Sequence, residues 1–200
     1  MSILFLTCGP THSGKTTFGA RLRASLGQPA HFIHVDNDVV DEFIKENYNN
    51  LRTDPAVLAK RTPQDPDLRL LIPQLVTGYA LGEGYGVIAT AAHPKRVIRQ
   101  SYYDIAKSKC ARVVLLIFRV SEAQALQRIQ TGDRHTGILD ISPHGGATFQ
   151  ELFRRQQSLL EEPSAAEKRS CFKVFEVTED NANDVLEAAK KLAEQALLFP

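Results

Sequence analysis

The 200-residue chain is expected to fold as a three-layer α/β sandwich around a five-stranded parallel sheet. Three observations lead there. Apolar runs of strand length recur between stretches of helical period. Several of these runs are continuously apolar rather than alternating, as strands covered on both faces are. Strand–helix alternation of this kind implies right-handed crossovers that put helices on both faces of the sheet. With 43% hydrophobic residues at this length, one sizeable core and a single domain over residues 1–200 are expected.

The first expected strand is Ile3–Cys8 (ILFLTC), followed by a glycine-containing loop and a helix over 15–26. Phe32–Asp36 (FIHVD) is the second strand and 39–46 its helix. The stretch 49–66 is loop-rich, with Pro55, Pro63 and Pro66, and a helix over 66–81 precedes the third strand, 86–91 (GVIATA). Pro94 opens a helix over 95–109, and Arg112–Phe118 (RVVLLIF) is the fourth strand. Ser121 and Gln124 form a capping box for a helix over 121–131, with Gly132 as its stop. Residues 131–147 are polar, Gly-rich and weakly periodic. Helices over 148–161 and 184–198 flank a fifth strand, 172–177 (FKVFEV), and Asp184 with Glu187 reads as a capping pair for the last helix. The two irregular segments are expected to carry function.

Bulk properties narrow the function classes. A formal charge of +1 lacks the basic excess of a protein that grips many nucleic-acid phosphates. Three cysteines, Cys8, Cys110 and Cys171, show no metal-ligand spacing and read as small buried hydrophobes in a reducing compartment. The apolar stretch 3–6 is too short for a secretory signal, and no segment approaches spanning length, so a cytoplasmic chain without membrane contact is expected.

Residues 9–16, GPTHSGKT, match GxxxxGK[ST] between an apolar strand and a helix. Gly9 and Gly14 permit backbone conformations that turn successive N–H groups inward around phosphate oxygens. The helix starting near Lys15 points its positive end at the same spot. Lys15 would reach the β- and γ-phosphates and the Thr16 hydroxyl would ligate Mg²⁺. Gly9, Thr11, His12, Ser13, Gly14, Lys15, Thr16 and Thr17 are therefore the candidate ATP contacts, with His12 a variable loop position rather than a catalyst. No Asn-Lys-x-Asp motif follows to read guanine, and the third strand ends Ala89-Thr90-Ala91-Ala92 without a carboxylate. Acid stands instead at the end of strand two, Val35-Asp36-Asn37-Asp38.

These residues resemble the P-loop small-molecule and polynucleotide kinases, including zeta toxins and the chloramphenicol phosphotransferase type. The likeness runs along most of the chain: the loop, VDND, GYGVIATA, ALQRIQTGDR and FQELFRRQQSLLEEP in order. It implies strand order 2-3-1-4-5 in a nucleoside-kinase-like P-loop NTPase fold, with ATP and Mg²⁺ as cofactors. It also implies that the second aspartate of the acidic stretch, Asp38, is the catalytic base. The chemistry agrees, because transfer to a hydroxyl needs a group to take the proton and positive charge around the moving phosphoryl group. Asp36 is the alternative base, and either aspartate could hold Mg²⁺ through water. Asp38 would also cap the helix after it. In the family resembled, arginines at Arg128 and Arg134 belong to a lid over ATP, here 131–147; Arg154 and Arg155 are weaker candidates. His93, Lys95 and Arg96 follow strand three near the acceptor. His31 and His34 read as strand residues, and His135 and His144 lie in the lid. Residues 37–75 are expected to form the acceptor pocket. The expected partner is a small molecule with a hydroxyl: a sugar nucleotide, an antibiotic or a sugar. The alternatives are a polynucleotide 5′-hydroxyl kinase and a nucleotide-binding regulatory module without turnover.

Overall fold

The computed structural model describes residues 2–48, 67–130 and 149–198. Five strands, β1 (Ile3–Cys8), β2 (Phe32–Asp36), β3 (Gly86–Thr90), β4 (Arg112–Phe118) and β5 (Lys173–Val177), form one parallel sheet in the order β2-β3-β1-β4-β5. Eight helices are described: α1 (Lys15–Ser25), α2 (Asn37–Tyr48), α3 (Leu68–Gly82), α4 (Arg96–Ser108), α5 (Glu122–Gln130), α6 (Phe149–Leu159), α7 (Ala165–Ser170) and α8 (Ala182–Leu198). A 3₁₀ turn, Pro29–His31, leads into β2. The expected class, strand number and order are all observed.

The continuous apolar character of β1 has the predicted cause. Ile3 and Phe5 join Phe18 and Leu22 of α1 and Val185, Leu186 and Ala189 of α8 in one core layer. Leu4, Leu6 and Cys8 join Ala80 and Leu81 of α3 and Tyr102, Tyr103 and Ala106 of α4 in the other. Alternate residues of one strand thus feed two cores, and all six are buried. β1 pairs with β3 on one side and β4 on the other, so its C-terminal end lies at the point where crossovers diverge and a crevice opens.

Several boundaries differ from expectation for local reasons. α2 starts at Asn37 rather than 39, because Asp36 Oδ1 accepts from Asp38 N at 3.0 Å. The cap is therefore Asp36, and Asp38 sits in the first helical turn. α8 starts at Ala182, with Asn181 Oδ1 accepting from Thr178 N and Asn181 Nδ2 donating to Glu176 O, which places Asp184 and Glu187 inside the helix. The Ser121–Gln124 box is present: Gln124 N donates to Ser121 Oγ and Ser121 N to Gln124 Oε1. Pro94 precedes α4 instead of opening it; Glu161 Oε2 accepts from Arg96 N at 2.7 Å and caps the helix from a distance. His31 lies in the 3₁₀ turn, and His34 in β2 places Nε2 2.9 Å from Thr90 Oγ1. Cys8 is buried and Cys171 is half-buried against the same core layer, whereas Cys110 is exposed, so the expected core role fails for Cys110. Among the described residues, no helix is long and apolar enough to cross a membrane.

Pro73 falls inside α3. A proline lacks the N–H that would serve the carbonyl four residues back, and here Asn37 Nδ2 donates to that Arg69 carbonyl at 3.4 Å. The carbonyl left over by Pro73 thereby tethers α3 to the start of α2, beside the two aspartates. Residues 49–66 of the expected acceptor segment, and 131–147 of the expected lid with Gly132, Arg134, His135 and His144, lie outside the described residues.

Candidate active site

The loop after β1 folds around its own lysine. Gly9 has φ +150° and a Cβ there would meet Phe118 O at 2.7 Å, so only glycine fits. Its N–H donates to Ala92 O at 3.0 Å, tying the loop to the end of β3. His12 has φ +55°, a left-handed conformation costing a non-glycine residue about 1–3 kcal/mol. His12 is thus a kink in the loop backbone. Lys15, 8% exposed, donates from Nζ to Pro10 O and, at 3.0 Å, to Ser13 Oγ.

α1 opens at Lys15 with Gly14 (φ +91°) as N-cap, no side chain capping it and no acidic residue in its first turn. Its first amides and positive end therefore face the cleft ahead of them. That cradle suits a polyphosphate. The cleft encloses about 350 Å³ and is lined by residues 11–17, by Asp36 and Asp38, and by Ala91 and Ala92. Arg128 at the end of α5 also lines it; its Nη1 donates to His12 O at 3.1 Å and its Nη2 lies 3.7 Å from Glu179 Oε2. One cleft accordingly holds the loop, both aspartates and Arg128. Asp36 is 8% exposed, whereas Asp38 is exposed. Thr16 lines the cleft one residue from Lys15, the position from which its hydroxyl would hold Mg²⁺ together with phosphate oxygens. Among the described residues there is no preformed cluster of three or more His, Cys, Asp or Glu ligands. A Mg²⁺ ion here would therefore rely on Thr16, one carboxylate and the phosphates themselves.

Among the described residues, the other candidates named here lie away from the cleft. His93 is 2% exposed and packs edge-on against Tyr102 at 4.8 Å between ring centres. Its Nδ1 lies 2.7 Å from Thr7 O, a carbonyl that only accepts, so the hydrogen sits on Nδ1 and Nε2 is a buried bare acceptor. Burial, with Lys15 and Arg99 nearby, pushes the imidazole down to about 4. His93 is a neutral core histidine. Lys95 and Arg96 are exposed and do not line the cleft. Arg154 pairs with Glu122 through two bonds at 2.9 and 3.1 Å on the surface of α5 and α6.

The state of His93 sets a pH dependence. Its folded pKa lies below the ordinary value near 6.5, so the unfolded chain binds the proton first as pH falls. Its contribution is complete above that value and is lost between about 6.5 and 4, by up to about 3 kcal/mol. Denaturation midpoints measured from pH 7.5 to 4.5 should fall less steeply in His93→Gln than in the wild type. Identical slopes would contradict the buried neutral imidazole.

Several cleft residues carry no motif. Arg119, Thr178 and Glu179 line it from the C-terminal ends of β4 and β5, a location that marks ligand residues in parallel sheets. Arg119 is held by Glu162 on one side and Glu176 on the other. Arg21 and Gln156 line it from mid-helix positions with no sequence signal.

The model of the AAA domain family (AAA_33) matches residues 4–141, more than half of the chain. The chain belongs to that family. No curated protein sequence matches this AAA domain significantly. Among solved structures, a gluconokinase from Sinorhizobium meliloti 1021 shares 15% identity at TM-score 0.57, covering 98% of this chain and 96% of its own. Kti12 of Chaetomium thermophilum, solved with ADP-AlF3, shares 15% identity at TM-score 0.63 over 96% and 98% of the two chains. The Mycobacterium tuberculosis APS kinase CysC, solved with AMPPNP and APS, shares 14% at TM-score 0.60 over 96% and 98%. This is a likeness of fold, and it agrees with the expected P-loop kinase architecture.

Proposed function

We propose that this protein is a Mg²⁺-dependent kinase that transfers the γ-phosphate of ATP to a hydroxyl of a small molecule. One observation carries the reading: the uncapped start of α1 and the loop around Lys15 open into the same cleft as two carboxylates, Asp36 and Asp38. Two of the structurally similar proteins are named as kinases, and two were solved with nucleotide analogues, which supports the class.

In this reading Asp38 takes the proton of the acceptor hydroxyl as its oxygen bonds to the γ-phosphorus and the bond to the ADP oxygen breaks. Lys15 and the loop amides hold the β- and γ-phosphates. Arg128, already at the loop's edge on the His12 carbonyl, brings positive charge to the moving group, an effect that can be worth about 10³–10⁵ in rate. Bound Mg²⁺ would neutralise charge shared between the β- and γ-phosphates, held by Thr16 with Asp36 as a water-mediated partner. Arg134 is proposed to act alongside Arg128. The acceptor would enter beside Asp38, from the side of α2 and α3; a sugar nucleotide, an antibiotic or a sugar fits that chemistry.

A second reading, a nucleotide-binding regulatory module without turnover, draws on the carboxylate-free end of β3, where Ala91 and Ala92 face the cleft. Acceptor-dependent ADP release across hydroxyl compounds, including a 5′-hydroxyl oligonucleotide, separates the three possibilities. Asp38→Asn should remove at least about 100-fold of that rate while leaving ATP affinity within about twofold. If Asp36→Asn is the dead variant and Asp38→Asn is active, Asp36 is the base. Tight ATP binding with no acceptor-dependent release from any compound would favour the regulatory module.

A further inference from the structure

Gln156, in the middle of α6, accepts through Oε1 from the Thr11 amide at 2.7 Å, across 145 residues of sequence. The Thr11 N–H and the Pro10 carbonyl belong to a single planar peptide unit. That carbonyl accepts from Lys15 Nζ. The unit is therefore held from both ends, by Gln156 at its N–H and by Lys15 at its oxygen. The next residue is the strained His12, whose own carbonyl accepts from Arg128 at 3.1 Å. We propose that Gln156 is a positioning residue of the phosphate loop, acting through Lys15; the functional part of this rests on the cleft being the nucleotide site.

The physical reason is orientation. A peptide unit with only one end held can rotate about the bonds on either side. With Gln156 in place, the Pro10 carbonyl stays turned toward Lys15, and the ammonium stays where Ser13 Oγ also meets it at 3.0 Å. The choice of side chain follows from the surroundings. Gln156 lines the phosphate cleft, where an acceptor with no charge is required. A glutamate of the same length would make the same bond but would oppose a polyphosphate. The residue commits its oxygen to the loop, and the positioning role asks nothing more of it.

The test uses the full chain and two readouts. In nucleotide-free Gln156→Ala, exchange of the Thr11 amide should speed up by about tenfold, whereas Gln156→Glu, which keeps the acceptor, should retain the protection. Titrations in the presence of Mg²⁺ should show ATP affinity of Gln156→Ala lowered by about fivefold, the loss of one hydrogen bond's worth of organisation, with AMP affinity within about twofold. A general loss of structure would weaken both nucleotides together. Unchanged Thr11 exchange in Gln156→Ala, or equal losses for ATP and AMP, would overturn the proposal. Failure of the nucleotide reading looks different: the wild type would bind neither nucleotide, and Lys15 would have no phosphate to be positioned for.

Discussion

Lys15→Ala is expected to weaken ATP binding by roughly 10- to 150-fold while leaving the protein folded. A charge-assisted hydrogen bond contributes about 1.5–3 kcal/mol, which converts to that range for the loss of one such bond. Lys15 sits at the first position of α1, where alanine is the strongest helix former, and its own bonds go to Pro10 O and Ser13 Oγ at the cleft wall rather than into the core. The folding cost is accordingly small and the functional cost large. Isothermal titration with ATP and Mg²⁺, paired with a melting curve, checks both halves. Wild-type affinity in the variant would remove the lysine from the phosphate site; a collapsed melting curve would show that its internal bonds hold the loop up.

The second large effect lies behind the site. Arg99 and Glu167 form a salt bridge at 2.5 Å with both side chains almost fully buried. Every donor direction of Arg99 is used: its Nε and Nη2 reach the carboxylate, Nη1 reaches the carbonyls of His93 and Pro94 at 3.0 Å, and Nη2 that of Glu161 at 2.9 Å. Tyr103 Oη donates to the same carboxylate at 2.7 Å. Burial alone would raise the Glu167 carboxyl, but the bonds from Arg99 and Tyr103 outweigh it and hold the group below its ordinary value. Glu167→Ala leaves a buried guanidinium without a counter-charge and should cost about 3–5 kcal/mol. For a chain of this size the melting point would drop by roughly 6–20 °C. A change below about 0.5 kcal/mol in Glu167→Ala would contradict the cluster's role. Because Arg99 also grips the connection after β3, and Gly9 hangs from Ala92 in that connection, the damage should extend to the loop.

What the sequence disclosed, and what it hid, follows one physical line. Parallel strands buried on both faces write themselves as unbroken apolar runs, so β1 and β4 are legible to the residue. The loop is legible because its chemistry demands fixed spacing: Gly14 for the turn, Lys15 and Thr16 immediately after. Structure made by single long-range contacts leaves no such trace. Nothing local announces that Arg99 and Glu167 meet across 68 residues. α7 spans six residues, too few for a periodic pattern. Gln156 reaches the loop from the middle of a polar helix face. The cap of α2 is not legible in the sequence because three polar residues in succession, Asp36, Asn37 and Asp38, can each serve as one; the bond from Asp38 N to Asp36 Oδ1 decides among them.

The most direct measurement of the central claim is a crystal structure of the protein with a non-hydrolysable ATP analogue and Mg²⁺. The β-phosphate oxygens should lie within about 3 Å of the amides from Ser13 to Thr16, Lys15 Nζ should reach the phosphates while still donating to Pro10 O, and Asp38 should face the γ-phosphate across the cleft. A nucleotide bound elsewhere, or a cradle that remains closed on Lys15 with both aspartates turned away, would contradict the claim.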